Sequence, residues 1–249
     1  MSVGFCHCSI MILLERIYMK KFRNSYAAYM LLYSFYFMST SLFTTLISVY
    51  LMGKHYSATQ VSTLVSVAFF LSMVAQPFFG YINERFGIIK MTTLSLSVII
   101  GGVLGFLWAP NLFWLTVFYG IVLVCLNGTA PMMEVFATQS PYAFGKIRVW
   151  GTIGYSVGVQ IAGWVYHQFS PQAVYYTVLI TIVLSIFCLS AVRMKKKETV
   201  VEKEKHPVSI RPLLHNGPYL FFIVLIGLAS GVGNIGHTYI PELLMDSGL

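Results

Sequence analysis

The stretch IIKMTTLSLSVIIGGVLGFLW, Ile88–Trp108, contains one charged residue, Lys90, near its start. An α-helix needs roughly 20 predominantly apolar residues to cross the hydrocarbon core of a bilayer, and this stretch has that length and composition. Its apolar residues cover every side of a helix, whereas strands of a membrane barrel alternate apolar and polar residues in blocks of about ten. The stretch therefore predicts a transmembrane α-helix.

The composition of the whole chain extends this interpretation. Of the 249 residues, 57% are hydrophobic and 10% are charged, against about 25% charged in an ordinary soluble domain. A soluble fold could not bury so much apolar surface. We predict an all-α, polytopic helical membrane protein with spans at residues 26–52, 60–82, 88–108, 112–137, 148–166, 173–192 and 218–244.

The distribution of basic residues predicts the orientation of the spans. Apart from Lys54 and Arg148, every Lys and Arg lies before the first predicted span or after the second, fourth and sixth. Cytoplasmic loops retain Lys and Arg, so we expect a multi-pass protein of the cytoplasmic membrane with a cytoplasmic amino terminus. The net charge of +8 then reflects topology and does not indicate nucleic-acid binding.

Polar segments divide the predicted helices into domains. Residues 19–192 form a six-helix bundle, residues 193–217 a cytoplasmic linker rich in Lys and Glu, and residues 218–249 contain the seventh helix. Residues 1–18 include an apolar run too short to span a membrane and lack the features of a signal peptide. We therefore treat them as a doubtful extension, with Met19 as the alternative start.

The cysteines predict no special chemistry. They stand at positions 6, 8, 125 and 188, a pattern that suggests neither a disulfide framework nor a zinc site. The match GVGNIG, residues 231–236, fits the dinucleotide fingerprint, but that motif needs a preceding strand and here falls inside a predicted membrane helix. We expect neither a metal site nor a bound cofactor.

A second match, GYSVG at residues 154–158, fits the G-x-S-x-G motif of serine hydrolases. That motif is a strained turn between a strand and a helix, which a membrane helix cannot provide. An intramembrane serine protease with Ser156 and His237 stays an alternative. The favoured interpretation is a stripe of small residues for close helix packing, formed by Gly151, Gly154, Gly158 and Gly163.

Besides Lys90 at the start of the third span, few ionisable residues lie in the predicted spans or at their edges: Glu134, Arg148, His237 and Glu242. Charges in a bilayer are costly, so such groups usually pair or line a wet cavity. Glu134 and Arg148 have opposite charges and lie near the same end of two consecutive spans, so they can meet. The alternative is that Arg148 extends to the lipid head groups, and the residues alone leave both interpretations open.

Two segments around this pair resemble the major facilitator superfamily, and within it the oligosaccharide:proton symporters. NGTAPMME, which ends at Glu134, and FGKIRVWGTIGY, residues 144–155, are similar to the fourth and fifth helices of that group. The run FGKIRVWG is also similar to permeases for nucleosides and aromatic acids. The resemblance covers residues 19–249 and implies a two-halved transporter fold, of which this chain contains one half and the first helix of the second.

A third segment, GYINERFGIIK at residues 80–90, resembles the signature loop of the superfamily. The resemblance implies that Gly80, Glu84, Arg85 and Gly87 form a gating loop between the second and third spans. The segment departs from the family pattern because Glu84 replaces an aspartate and two isoleucines stand where basic residues are common.

The resemblance implies that Glu134 and Arg148 bind sugar hydroxyls and that Tyr155 stacks on the sugar ring, where the best-known member has Trp. An arginine, a carboxylate and an aromatic face together match the donors, acceptors and C–H surface of a polyol. We therefore expect a secondary active transporter, not an enzyme, that carries a sugar, oligosaccharide or glycoside with protons across the lipid bilayer.

Alternatives are a permease or exporter for another small solute, such as a nucleoside, aromatic acid or drug, and a seven-helix receptor. If the second half of the transporter is missing, we expect the chain by itself to insert in a membrane without accumulating solute, because transport in this superfamily uses two halves around a shared site.

Overall fold

The computed structural model describes residues 23–192 and 216–246, except for the side chains of Glu84 and of residues 234–246. Outside the described residues lie the predicted extension at residues 1–18, which includes Cys6 and Cys8, and most of the predicted linker. The same holds for the side chains of His237 and Glu242.

Within these two ranges every regular element is a helix, and eight helices follow one another along the chain. They are α1 (Tyr26–Thr44), α2 (Ile47–Gly53), α3 (Ala58–Phe86), α4 (Ile88–Trp108), α5 (Leu112–Thr138), α6 (Phe144–Gln168), α7 (Pro171–Ala191) and α8 (Gly217–Asp246).

In the described part of the chain, five helical stretches are long and apolar enough to cross a membrane. They are Tyr26–Gly53, Ala58–Asn83, Ile88–Trp108, Leu112–Thr138 and Pro171–Ala191. Helix α6 is as long as these but has a polar face, and Gly217–Gly233 is a shorter apolar stretch. The prediction of an all-α, multi-pass membrane protein is confirmed.

Two predicted spans differ from the helices in ways that matter. The span at 26–52 is divided into α1 and α2 by a break at Thr45 and Leu46. The span predicted to begin at Arg148 begins four residues earlier, because the backbone of α6 is already helical at Phe144. Hydropathy does not detect helical turns that carry polar residues. Arg148 therefore lies one turn inside its helix, not at the first position.

Residues 80–90, which were predicted to form a gating loop, are helical except at Gly87. Helix α3 continues to Phe86 and α4 begins at Ile88, so Gly87 is the only non-helical residue between them. Gly87 has φ 86° and ψ 141°, a backbone conformation that glycine adopts without the steric cost of a Cβ. The backbone of Glu84 and Arg85 therefore belongs to the last turn of α3, and Lys90 belongs to the first turn of α4.

Helix α1 lies at the centre of one packing group and α5 at the centre of another. α1 packs along α6 and α7, while α5 packs along α3 and α4, and a contact between α4 and α7 joins the groups. A hydrogen bond of 2.8 Å from Ser39 Oγ to Thr181 Oγ1 crosses the buried α1–α7 contact. α8 touches α2.

The glycine stripe on α6 explains the close approach of α1. A Cβ on Gly151 would lie 2.8 Å from the Tyr33 ring, and one on Gly154 would lie 2.7 Å from Ser34 Cα. Gly158 likewise faces backbone and side-chain atoms of α1. The prediction of a packing stripe is confirmed for these three residues and wrong for Gly163, whose Cβ would meet nothing within 4 Å.

Candidate functional site

Glu134 and Arg148 lie on two antiparallel helices, near the end of α5 and the start of α6. Arg148 Nη1 is 3.3 Å from Glu134 Oε2, although the residues are 14 positions apart in the chain. The two side chains are 60% and 36% exposed, Arg148 being the more exposed. Exposed ion pairs contribute little to stability, so this pair is better suited to an exchangeable interaction than to holding the fold together.

An aromatic ring on the same helix holds the guanidinium from a second side. Arg148 Cζ lies 5.6 Å from the centroid of the Phe144 ring, which is one helical turn earlier and therefore on the same face. A guanidinium at this distance is attracted to the face of an aromatic ring. The early start of α6 at Phe144 is what provides this contact.

The ion pair forms one wall of a cleft of about 270 Å³, just below the range of roughly 300–1,000 Å³ usual for ligand pockets. The cleft lies between α1, the end of α5 and the first half of α6. Its lining residues are Tyr33, Phe37, Glu134, Arg148, Gly151, Thr152, Tyr155 and Ser156. The three residues predicted to bind solute, Glu134, Arg148 and Tyr155, are thus brought together in one cleft.

The spacing along α6 explains which of its residues reach the cleft. Those that follow Arg148 in the lining stand three, four, seven and eight positions after it, the spacing of one helix face. This pattern is visible in the sequence for Gly151, Thr152 and Ser156, but of these cleft residues only Tyr155 was predicted to contact solute. No such spacing marks Tyr33 and Phe37 in the sequence, because α1 is apolar on most sides and no single face stands out.

Hydrogen bonds between the amino-terminal parts of α1 and α6 hold the cleft walls together. The Trp150 indole N–H donates to the Tyr26 hydroxyl at 2.8 Å, and that hydroxyl donates to the Lys146 carbonyl at 3.0 Å. Ser34 Oγ donates to the Trp150 carbonyl at 3.2 Å. These bonds join α1 to α6 on the turns around Arg148, so the arginine projects from a fixed backbone.

Helix α5 contains a proline just before Glu134. Pro131 lies inside the helix and has no backbone N–H to donate to the carbonyl one turn earlier. That earlier residue is Asn127, whose side-chain amide donates to Ser72 Oγ of α3 at 2.8 Å. The segment that presents Glu134 is therefore anchored to α3 through Asn127.

Gly80, Arg85 and Gly87, three of the predicted gating residues, do not line the cleft. Gly80 and Arg85 are in the last turns of α3, with Arg85 exposed, and Gly87 forms the junction with α4. The side chain of Glu84 is outside the described residues. Because consecutive long helices run in opposite directions, this junction lies at the same end of the bundle as Glu134 and Arg148.

The two motif matches lie within helices. Gly154 and Gly158 of GYSVG pack against α1 in the middle of α6, which supports the packing interpretation; Ser156 itself lines the cleft. The backbone of GVGNIG is part of α8, without the preceding strand that nucleotide binding needs. Among the described residues, no group of three or more His, Cys, Asp or Glu side chains could hold a metal ion.

Comparison with known proteins agrees with this architecture. The family described as Major Facilitator Superfamily matches residues 29–249. The chain is 27% identical over 191 residues to the sucrose permease of Escherichia coli, an alignment that covers 71% of this chain and 45% of that protein. It is 25% identical over 234 residues to the uncharacterized transporter YwbF of Bacillus subtilis (strain 168), which covers 91% of this chain and 58% of that protein.

The chain therefore spans about half the length of these curated relatives. The family match includes all eight described helices except the first turn of α1, and with it the cleft residues. The helical membrane architecture and the sequence similarity lead to the same conclusion: this chain belongs to the Major Facilitator Superfamily, a family of membrane transporters.

Proposed function

We propose that this chain forms the solute-binding part of a secondary active transporter that carries a small polar solute, a sugar, oligosaccharide or glycoside, together with protons. The observation that carries the proposal is the Glu134–Arg148 ion pair at 3.3 Å in a cleft that also contains Tyr155. The similarity to a sucrose permease supports a sugar as the solute class.

The chemistry of the cleft suits a polyol. The Arg148 guanidinium offers N–H donors in a planar arrangement, and the Glu134 carboxylate offers acceptors for sugar hydroxyls. The hydroxyls of Thr152 and Ser156 both donate and accept, and they lie on the same face of α6. The aromatic rings of Tyr155 and Phe37 provide apolar surface for the C–H side of a sugar ring.

The exposure of the ion pair suits exchange between two partners. Arg148 is more than half exposed, so the guanidinium has room to turn from Glu134 towards a solute without breaking a buried contact. A solute hydroxyl that bridges the two groups would replace their direct contact. Binding then exchanges one set of polar interactions for another, which is favourable for reversible loading.

We extend the proposal to topology. Residues 19–192 form the six-helix amino-terminal half, residues 193–217 are a cytoplasmic linker, and residues 218–249 contain the first helix of a second half. The amino terminus lies in the cytoplasm and the protein resides in the cytoplasmic membrane. Gly80, Glu84, Arg85 and Gly87 act in gating at the α3–α4 junction. The chain catalyses no covalent reaction and needs no cofactor.

Solute binding by the purified full chain tests the proposal. We expect the chain to bind radiolabelled sucrose or another sugar of a panel. The Glu134→Gln and Arg148→Gln variants should lose this binding. The panel should include a nucleoside, an aromatic acid and a cationic drug. If one of these compounds binds and no sugar does, the proposed solute class is wrong, although the chain can still belong to a transporter.

Proton coupling needs its own measurement. In reconstituted vesicles that contain this chain together with a second half of the transporter and a pH-sensitive dye, addition of the bound sugar should change the pH on the side from which protons are taken. Glu134→Gln vesicles and vesicles without protein serve as controls. Sugar binding without any proton movement would contradict the coupled mechanism, although it would leave the solute site intact.

A further inference from the structure

Tyr33 is a buried polar residue of the cleft, and none of the solute contacts proposed above involves it. It lies on α1 opposite Arg148 and lines the cleft, yet only 1% of its surface is exposed. No described residue forms a hydrogen bond of regular geometry with its hydroxyl oxygen. A buried hydroxyl without a partner is costly, so such a group calls for an explanation.

The Tyr33 ring has little freedom to turn. Gly151 of α6 leaves the space that the ring fills, since a Cβ there would lie 2.8 Å from Tyr33 Cδ1. The Phe37 ring packs on another side, with centroids 5.1 Å apart and planes tilted by 40°. Only rotation about the C–O bond remains free, so the position of the hydroxyl oxygen is set by packing.

Tyr33 and Glu134 line the same cleft, and the hydroxyl and the carboxylate interact electrostatically. Glu134 uses Oε2 towards Arg148, and a carboxylate has further lone pairs on both oxygens. A hydrogen bond from a phenol to an ionised carboxylate is stronger than one between neutral groups. The Tyr33 hydroxyl, which has no hydrogen-bond partner of regular geometry among the described residues, is therefore a candidate donor to this carboxylate.

The two neighbours of Glu134 differ in mobility. Arg148 is 60% exposed, whereas Tyr33 is buried and wedged between Gly151 and Phe37. A solute that binds the guanidinium weakens the ion pair, and the carboxylate then loses the contact that fixes its orientation. Tyr33 can supply a replacement contact, because packing holds its ring in place.

We infer that Tyr33 is a positioning residue that donates a hydrogen bond to Glu134 and holds its carboxylate towards the solute when Arg148 turns away. This inference rests on the proposed solute site. It adds a polar residue of α1 to a site whose other polar groups lie on α5 and α6, so that solute binding is coupled to the packing of α1 against α6.

Infrared spectroscopy of the purified full chain tests the contact without any solute. The chain contains only eight Asp and Glu residues, so the carboxylate band lost in Glu134→Gln can be assigned. We expect Tyr33→Phe to shift that band. Tyr36→Phe is the matched control, because it removes a buried hydroxyl of α1 that donates to the Leu126 carbonyl, and it should leave the band in place.

A reciprocal measurement keeps Tyr33 unchanged. In a chain with isotopically labelled tyrosine, Glu134→Gln should shift one tyrosine C–O band, and that band should be the one missing from Tyr33→Phe. An unshifted Glu134 band in Tyr33→Phe, or unshifted tyrosine bands in Glu134→Gln, would overturn the inference.

Binding then tests the role. With the sugar that the wild type binds, Tyr33→Phe should lower affinity about tenfold while Tyr36→Phe changes it less than twofold. Equal affinity of the wild type and Tyr33→Phe would refute the positioning role. If the wild type binds no sugar, the proposed function fails, and the infrared shifts still decide whether Tyr33 contacts Glu134.

Discussion

Glu134 and Arg148 are 3.3 Å apart across the turn that joins α5 to α6, and this relationship links the sequence of the chain to its proposed role. Each charge alone would be costly inside a bilayer. Together, at the edge of a cleft, they neutralise each other while both remain accessible. The same geometry that reduces the cost of the charges therefore keeps them available to a polar solute.

Replacement of Arg148 by lysine tests the shape of the charged group. Arg148→Lys keeps the charge but loses the planar arrangement of donors, so we expect the affinity for the bound sugar to fall by about tenfold or more, about 1.4 kcal/mol. Equilibrium binding to the purified chain measures it. Lys146→Arg is the control, since Lys146 is exposed on the same helix and does not line the cleft. Equal affinity for Arg148→Lys and wild type would contradict the role given to the guanidinium.

Substitution of Tyr155 separates ring stacking from hydrogen bonding. Tyr155→Phe should retain most of the affinity, whereas Tyr155→Ala should lose about 1 kcal/mol, the scale of an aromatic contact. Tyr166→Ala provides the control on the same helix, because Tyr166 is partly buried but outside the cleft. Similar affinities for all four proteins would mean that Tyr155 belongs to the packing of α6 and does not contact solute.

The glycine stripe predicts a graded effect on stability. Gly154→Ala places a methyl group against the backbone of Ser34, and overpacking of this kind typically costs about 1–3 kcal/mol. Gly163→Ala should be neutral or slightly stabilising, because its Cβ meets open space and alanine favours a helix. Thermal unfolding in detergent, followed by circular dichroism, measures both. A lower midpoint for Gly163→Ala than for Gly154→Ala would contradict the observed α1–α6 contact.

The α3–α4 junction gives a prediction about backbone conformation. Gly87→Ala forces a side chain into a conformation with φ 86°, which costs on the order of 1–2 kcal/mol. Gly80→Ala has open space around it within a regular helix and should be tolerated. The difference in unfolding midpoint between these two variants measures the strain. A tolerated Gly87→Ala would mean that the junction can change its conformation without cost.

Transport measurements on the same two variants address gating. If residues 80–87 act in gating, Gly87→Ala should slow solute exchange across the membrane of vesicles that contain both halves of the transporter more than it changes solute affinity at equilibrium. Gly80→Ala again serves as the comparison. Equal changes in rate and affinity would indicate a general loss of folded protein.

Much of the fold was predictable because a long apolar run indicates a helix that crosses the bilayer. The lengths and positions of α4, α5 and α7 differ from the predicted spans by at most a few residues at either end. The continuation of α3 to Phe86 and the start of α6 at Phe144 were not predictable in this way. Helical turns at a membrane edge carry polar residues, and hydropathy does not distinguish such turns from loops.

The candidate site was predictable in part. The opposite charges of Glu134 and Arg148 on consecutive spans, with a resemblance to a transporter family, indicated the pair and Tyr155. The remaining α6 residues in the cleft share a helix face with Arg148 and were detectable by spacing. Their role in solute binding stays a prediction until binding is measured.

The sequence by itself determined that this chain is a bundle of membrane helices and that two opposite charges lie near one end of α5 and α6, because length, hydropathy and helical spacing act locally. The tertiary structure decided that Tyr33 and Phe37 line the cleft, that Gly163 lies outside the packing stripe and that Gly87 alone separates α3 from α4. In a helix that is apolar on every side, the residues that face lipid and those that face other helices have the same composition. Only the packing of α1 against α6 distinguishes them.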